Sequence, residues 1–108
     1  MSDRFKKYRT ALRALRLECP TDIPVRVRLN HTCTRWYGWT SKTKGGLTIT
    51  VCTRYSRGRL CNESELRDTI VHEWAHAMVA APCTAGQGHH DALWGVAYAK
   101  AYAAVVED

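Results

Sequence analysis

The sequence predicts an α+β domain: an N-terminal helix, a small three-stranded sheet, and two further helices. Three observations predict it. Apolar residues near both ends of the chain recur at helical spacing, and those in the middle alternate with period two. No repeat, low-complexity stretch or long linker separates these regions, so the 108 residues read as one domain, 1–108.

The elements follow in order. From Asp3 to about Leu17, Phe5, Tyr8, Leu12 and Leu15 make an apolar stripe, and Arg4, Lys6, Lys7, Arg9, Arg13 and Arg16 fill most other positions. That is an amphipathic helix with a basic solvent side, ended by Cys19-Pro20-Thr21-Asp22. Val25-Arg26-Val27-Arg28-Leu29 alternates strictly and reads as a strand. Thr34 to Thr40, rich in Trp, Tyr and Thr, reads as a second strand, and Leu47-Thr48-Ile49-Thr50-Val51 as a third. Lys44-Gly45-Gly46 makes the last two an antiparallel hairpin, so the sheet is antiparallel or mixed. Asn62-Glu63-Ser64-Glu65 has the form of a capping box. Leu66, Ile70, Trp74, Ala77 and Ala81 then form one stripe, which Pro82 ends. After a loop at Thr84-Ala85-Gly86-Gln87-Gly88, an Ala-rich helix is predicted from about His90 to Val106, packing through Leu93, Trp94, Ala97, Tyr98, Ala101 and Val105.

Composition narrows the function classes. No apolar run approaches the ~18 residues of a membrane span, and the first residues have no apolar segment typical of a secretory signal. The expectation is a cytoplasmic protein without a membrane partner, and a monomer. Lys and Arg total 16 against 10 Asp and Glu, a net charge of +6. Residues 1–60 carry 14 basic and 3 acidic side chains, and residues 61–108 carry 2 and 7. A basic half invites a polyanion, which makes Arg9, Arg13 and Arg16 candidate DNA contacts. The five cysteines are widely spread, with no Cys-x-x-Cys pair, which argues against a zinc ribbon. They are read as reduced thiols without an assigned role.

The stretch that carries chemistry is His72-Glu73-Trp74-Ala75-His76, an H-E-x-x-H inside the capped helix. A spacing of four puts both imidazoles on one side, within reach of a single ion, with Glu73 beside them as a general base. Leu66, Ile70 and Trp74 occupy a neighbouring face, so the helix can pack and ligate at once. A zinc ion needs a third protein ligand, and the downstream candidates are His89 and His90, which follow the Gly-rich loop. No Glu occurs between Glu73 and Glu107, so a thermolysin-like ligand has no match. The metzincin spacing fails as well, with Val79 in place of its Gly and Pro82 in place of its third His.

On these residues the chain resembles the SprT-like metalloprotease domain, which includes the Spartan-type DNA–protein crosslink proteases. The resemblance covers nearly the whole chain: N-terminal helix, small sheet with Tyr37-Gly38 ahead of the hairpin, H-E-x-x-H helix, loop and final helix. It implies a zincin-like fold and one Zn²⁺ ion held by His72, His76 and His90. It also implies hydrolysis of peptide bonds in a protein substrate, with Glu73 as base. Within that family an aromatic follows the third ligand by four residues; His90 with Trp94 fits, whereas Leu93 stands four past His89. His89 is then the alternative ligand or a group that supports the site. The chain departs from Spartan-type members in carrying no zinc-ribbon motif, so the match is to the catalytic core.

Arg35-Trp36-Tyr37-Gly38-Trp39 is expected to send its aromatics into the core, the alternatives being a single-strand binding surface or a strand that pairs with an extended peptide. Tyr98 and Tyr102 on the last helix are expected to be packing residues, the alternative being that either donates a hydrogen bond to an oxyanion. Two further function classes remain open on sequence. One is a nucleic-acid- or partner-binding module on a zincin core with little turnover. The other is a metal hydrolase acting on RNA, against which Glu73 beside the first histidine argues.

Overall fold

The computed structural model describes residues 3–33, 35–55, 57–79 and 92–106. Its elements are α1 (Lys6–Glu18), β1 (Val25–Asn30), β2 (Gly38–Thr43), β3 (Gly46–Cys52), β4 (Arg54–Tyr55), β5 (Arg59–Leu60), α2 (Glu63–Met78) and α3 (Ala92–Val106). The α+β class, the capped helix, β1 and β3 are those the sequence predicts. No described helix is long and apolar enough to cross a membrane.

The sheet is mixed, in the order β1-β3-β2. β1 runs parallel to β3, with Val25, Val27 and Leu29 opposite Leu47, Ile49 and Val51. Because partners in register share a face, these six apolar side chains line the face that meets the helices. Leu47, Ile49 and Val51 are at most 3% exposed. The other face carries Arg28, whose guanidinium donates to the Thr50 hydroxyl at 3.0 Å. β2 pairs antiparallel with β3 through a tight turn in which Gly45 takes φ +85, a left-handed conformation suited to glycine.

β2 differs from the expectation. It spans Gly38–Thr43 rather than Thr34 to Thr40, because 31–37 must carry the chain across the end of β3 to the far edge. Trp36 and Tyr37 fall in that crossing, at 60% and 38% exposure, instead of in the core. Trp39 pairs with Thr50 and so faces away from the helices. β2 turns Gly38, Thr40 and Lys42 toward the helices, a small-and-polar face with no hydrophobic signature. The short β4–β5 ribbon was not predicted; its two-residue strands are too brief for a period to register.

α2 is the central element, packed against α1, α3, β2 and β3. Leu66, Ile70, Trp74 and Ala77 are each at most 1% exposed, as their stripe predicts; Ala81 lies outside the described residues. Full burial of such side chains contributes roughly 1.5–3 kcal/mol apiece for the larger ones. The Trp74 indole donates to the Cys19 carbonyl at 2.8 Å, which satisfies its polar atom and ties α2 to the end of α1. From the other side α3 buries Ala97 and Ala101, small residues that permit close helix approach. Leu93, expected on that packing face, is 72% exposed; it shares its side of α3 with exposed Lys100, two turns on, the one charge in an otherwise apolar helix. The predicted helix start at His90 lies outside the described residues.

Gly38 sets the distance between sheet and α2. A Cβ there would stand 2.7 Å from both the Thr50 carbonyl oxygen and the Thr69 methyl, and the backbone contact cannot swing aside. Gly38→Ala is expected to destabilise the domain by about 1–3 kcal/mol, the usual cost of overpacking, in a denaturant titration. A variant as stable as the parent would show that β2 and α2 do not meet this closely.

Candidate metal centre

The register of α2 is set at its first turn. The Asn62 side chain accepts the Glu65 amide at 2.8 Å, and the Glu65 carboxylate accepts the Asn62 amide at 2.9 Å. This reciprocal cap fixes where the helix starts, and hence which side chains further along face the sheet and the cleft. His72 and His76 follow one turn apart, their ring centroids separated by 5.1 Å. The candidate ligand atoms of His72, Glu73 and His76 all lie within 4.8 Å of one another, so the group can hold a metal ion. The His72 side chain is 36% exposed and His76 only 5%; one imidazole faces the opening and the other backs onto the protein.

Glu73 is buried, at 8% exposure. Its Oε1 accepts a hydrogen bond from the Thr40 hydroxyl of β2 at 2.8 Å, and its Oε2 stands 3.8 Å from His72 Nε2. One carboxylate oxygen is thus engaged by the sheet, and the other is turned toward the histidines. Burial pushes the Glu73 carboxyl above its ordinary range, and the Thr40 hydrogen bond partly offsets this.

The cluster opens on a cleft of about 460 Å³ lined by Trp36, Tyr37, Gly38, Glu65, Asp68, Thr69, His72, Glu73 and Tyr98. One wall is fixed by Glu65, which receives the Arg59 guanidinium through bonds of 3.1 and 2.9 Å and the Tyr37 hydroxyl at 3.1 Å. Tyr37 in turn stacks on Tyr55 at 3.9 Å between centroids. On the opposite side, Trp94 in the first turn of α3 approaches both His72 and His76, at 5.0 and 5.4 Å between centroids, and stacks on Tyr98. Of the two candidate tyrosines, Tyr98 lines the cleft, whereas Tyr102 is 40% exposed beyond it.

The structure therefore brings together His72, Glu73 and His76, as the motif predicts. His89 and His90, the candidate third ligands, lie outside the described residues. Arg9, Arg13 and Arg16 are exposed on α1 and none lines the cleft. Arg9 pairs with Asp3, while Arg16 reaches the Val25 carbonyl and lies over the Trp74 ring. Sequence reasoning missed Thr40 and the wider role of Glu65. Thr40 sits on the polar face of β2, where no pattern distinguishes it from a solvent-facing threonine. Glu65 was read as a helix cap, which it is, but its bonds to Arg59 and Tyr37 depend on tertiary contacts.

No family model matches the chain, and no curated protein or solved structure matches it either.

The Glu65 node gives a pH signature. Hydrogen bonds from Arg59, reinforced by the Asn62 amide, hold its carboxyl at about 2, below its ordinary 4.5. A folded value below the unfolded one means that ionised Glu65 stabilises the fold above about pH 4.5, and that this contribution is lost as pH falls toward 2. Glu65→Gln is expected to flatten the decline of unfolding free energy across that window, measured by urea titration at successive pH values. The same slope in variant and parent would contradict the assignment.

Proposed function

We propose that this chain is a zinc-dependent metallopeptidase acting on flexible protein segments, as its resemblance to the SprT-like domain implies. The observation that carries the reading is the cluster itself: His72 and the buried Glu73 on the wall of an open cleft, His76 behind them within ligating reach, and one carboxylate oxygen engaged by Thr40. Two imidazole nitrogens are suitable donors for zinc, and a catalytic site needs a third protein ligand beside an open position. By the resemblance that third ligand is His90, and the packing of Trp94 against both histidines supports a ligand on the segment leading into α3. Zn²⁺ in such a site lowers the pKa of water toward about 7 and polarises a carbonyl.

The chain's own residues do the rest. Glu73 takes a proton from the attacking water through the oxygen turned toward His72 and delivers it to the departing amine. Thr40 keeps that carboxylate in one orientation. Tyr98, beside His72 on the cleft wall, donates a hydrogen bond to the oxygen that gains charge as the carbonyl is attacked. Trp36 and Tyr37 supply an aromatic wall for an extended segment. Contact with DNA is a secondary reading, favoured by the exposure of Arg9, Arg13 and Arg16, whose spacing places them along one side of α1.

Zinc content and cleavage of a reduced, alkylated protein test this together. Glu73→Gln is expected to keep its zinc and lose about 10²–10⁴-fold in turnover, whereas His72→Ala or His76→Ala loses the metal and some thermal stability. A purified protein without transition metal, or undiminished cleavage by Glu73→Gln, would overturn the reading. Thr40→Val is expected to lower kcat about 10- to 100-fold through misplacement of Glu73, with KM and zinc content unchanged. Equal loss in KM would assign Thr40 to substrate binding instead.

A further inference from the structure

The cysteines, to which the proposed chemistry gives no role, are not equivalent. Cys19, Cys33, Cys52 and Cys61 are free thiols among the described residues. Cys19 and Cys61 are buried at 1% and 2% exposure, and the Cys19 thiol faces the Lys100 carbonyl. Cys33 and Cys52 differ from them in that the backbone brings them to the same end of β3, Asn30 pairing with Cys52 and accepting the Cys33 amide, where each thiol influences the other's ionisation.

The sheet order explains why they meet. β1 ends at Asn30, directly opposite Cys52 at the end of β3. To reach β2 on the far edge, the chain must pass over that strand end. The Asn30 side chain starts the crossing by accepting the amides of Thr32 and Cys33 at 2.9 and 3.0 Å. The crossing finishes at Tyr37, whose carbonyl accepts the Cys52 amide at 2.8 Å. Cys52 is thus bracketed by both ends of the crossing, and Cys33 stands within it. The Cys33 thiol is held further by a contact to the Trp36 carbonyl at 3.6 Å.

The two thiols have opposite characters. Cys33 is half-buried and reachable from solvent, whereas Cys52 is 1% exposed. Desolvation raises the Cys33 thiol, but hydrogen bonds with Cys52 and with the backbone at Trp36 and Arg35 outweigh it and bring the thiol below its ordinary value. Desolvation, then the hydrogen bond with Cys33, pushes Cys52 up to about 12. An accessible sulfur that ionises readily, beside a buried one that keeps its proton, is the arrangement of an attacking and a resolving cysteine.

We propose that Cys33 and Cys52 form a peroxide-responsive dithiol that closes a disulfide across the crossing between β1 and β2. The Cys33 thiolate attacks a hydroperoxide oxygen: an S–O bond forms, the O–O bond breaks, and the remaining oxygen leaves as hydroxide or alkoxide and takes up a proton. Cys33 is then a sulfenic acid. The Cys52 sulfur attacks the Cys33 sulfur, forming S–S and breaking S–O, and the Cys52 proton departs with the hydroxyl as water. Two electrons pass from the two thiols to the peroxide, and a thiol reductant reverses the change. Since Trp36 and Tyr37 belong to the same crossing and line the cleft, the disulfide ties that wall of the cleft to the central strand.

The full chain, treated with hydrogen peroxide and then N-ethylmaleimide, is digested with trypsin without reduction. The expected product is a reductant-sensitive link between peptides 29–35 and 45–54 in a protein that stays monomeric on a non-reducing gel. Before oxidation, Cys33 is expected to alkylate at least about tenfold faster than Cys52, following thiolate character and access. In Cys52→Ala, peroxide is expected to leave a sulfenic acid on Cys33 that dimedone captures. The alkylation and cross-link measurements on the parent protein stand even if that variant does not fold. Recovery of both peptides singly alkylated after peroxide, or a link joining Cys61 or Cys83 in place of Cys52, would overturn the proposal.

Discussion

A carboxylic acid buried on the central helix sets the conditions that the surrounding structure must meet. Removing Glu73 from water is costly unless its oxygens find partners, and α2 itself brings His72 Nε2 only to 3.8 Å from Oε2, beyond hydrogen-bond reach. The partner comes from the sheet: the Thr40 hydroxyl, 2.8 Å away. That bond exists because β2 approaches α2 closely, and the approach is possible because Gly38 has no side chain to meet Thr69 and the backbone of β3. A glycine and a threonine, two apart on one strand face, thus place an acid about three turns along a helix from its Asn62 cap.

The same contact orients the cleft. With one oxygen of Glu73 held by the sheet, the other faces His72, and the two histidines take the side of α2 that the apolar stripe leaves vacant. Trp74, one residue beyond Glu73, goes the other way and anchors the helix through the Cys19 carbonyl. Packing and the candidate metal centre are therefore segregated around one helix, and His72 stays at the cleft without weakening the core. The Glu65 node plays the corresponding part at the helix start, where a capping residue also fastens Tyr37 and the β4–β5 ribbon to the cleft wall.

Much of this was legible in the sequence, for identifiable reasons. α2 announces itself through the Asn62–Glu65 cap and the Leu66–Ile70–Trp74 stripe, and its H-E-x-x-H motif is local, so spacing alone puts His72, Glu73 and His76 together. β1 and β3 are legible because one face is buried and alternation survives. β2 was displaced because the face it turns to the helix is Gly38, Thr40 and Lys42, which lacks any apolar pattern, while its aromatic neighbours Trp36 and Tyr37 look like core and are instead cleft wall. The parallel pairing of β1 with β3 follows from a crossing whose direction no local signal encodes. The place of Thr40 and the juxtaposition of Cys33 with Cys52 are consequences of that crossing, and so they are visible only in three dimensions.

The central claim is that the sheet holds Glu73 beside, and not on, an ion bound by the two histidines. A crystal structure of the zinc-loaded protein, with anomalous data at the zinc edge, tests it most directly. The account requires one peak about 2.0–2.1 Å from a ring nitrogen of each of His72 and His76, with Glu73 still accepting the Thr40 hydrogen bond and outside the coordination sphere. A peak elsewhere, or a Glu73 carboxylate that leaves Thr40 to bind the ion directly, would contradict it.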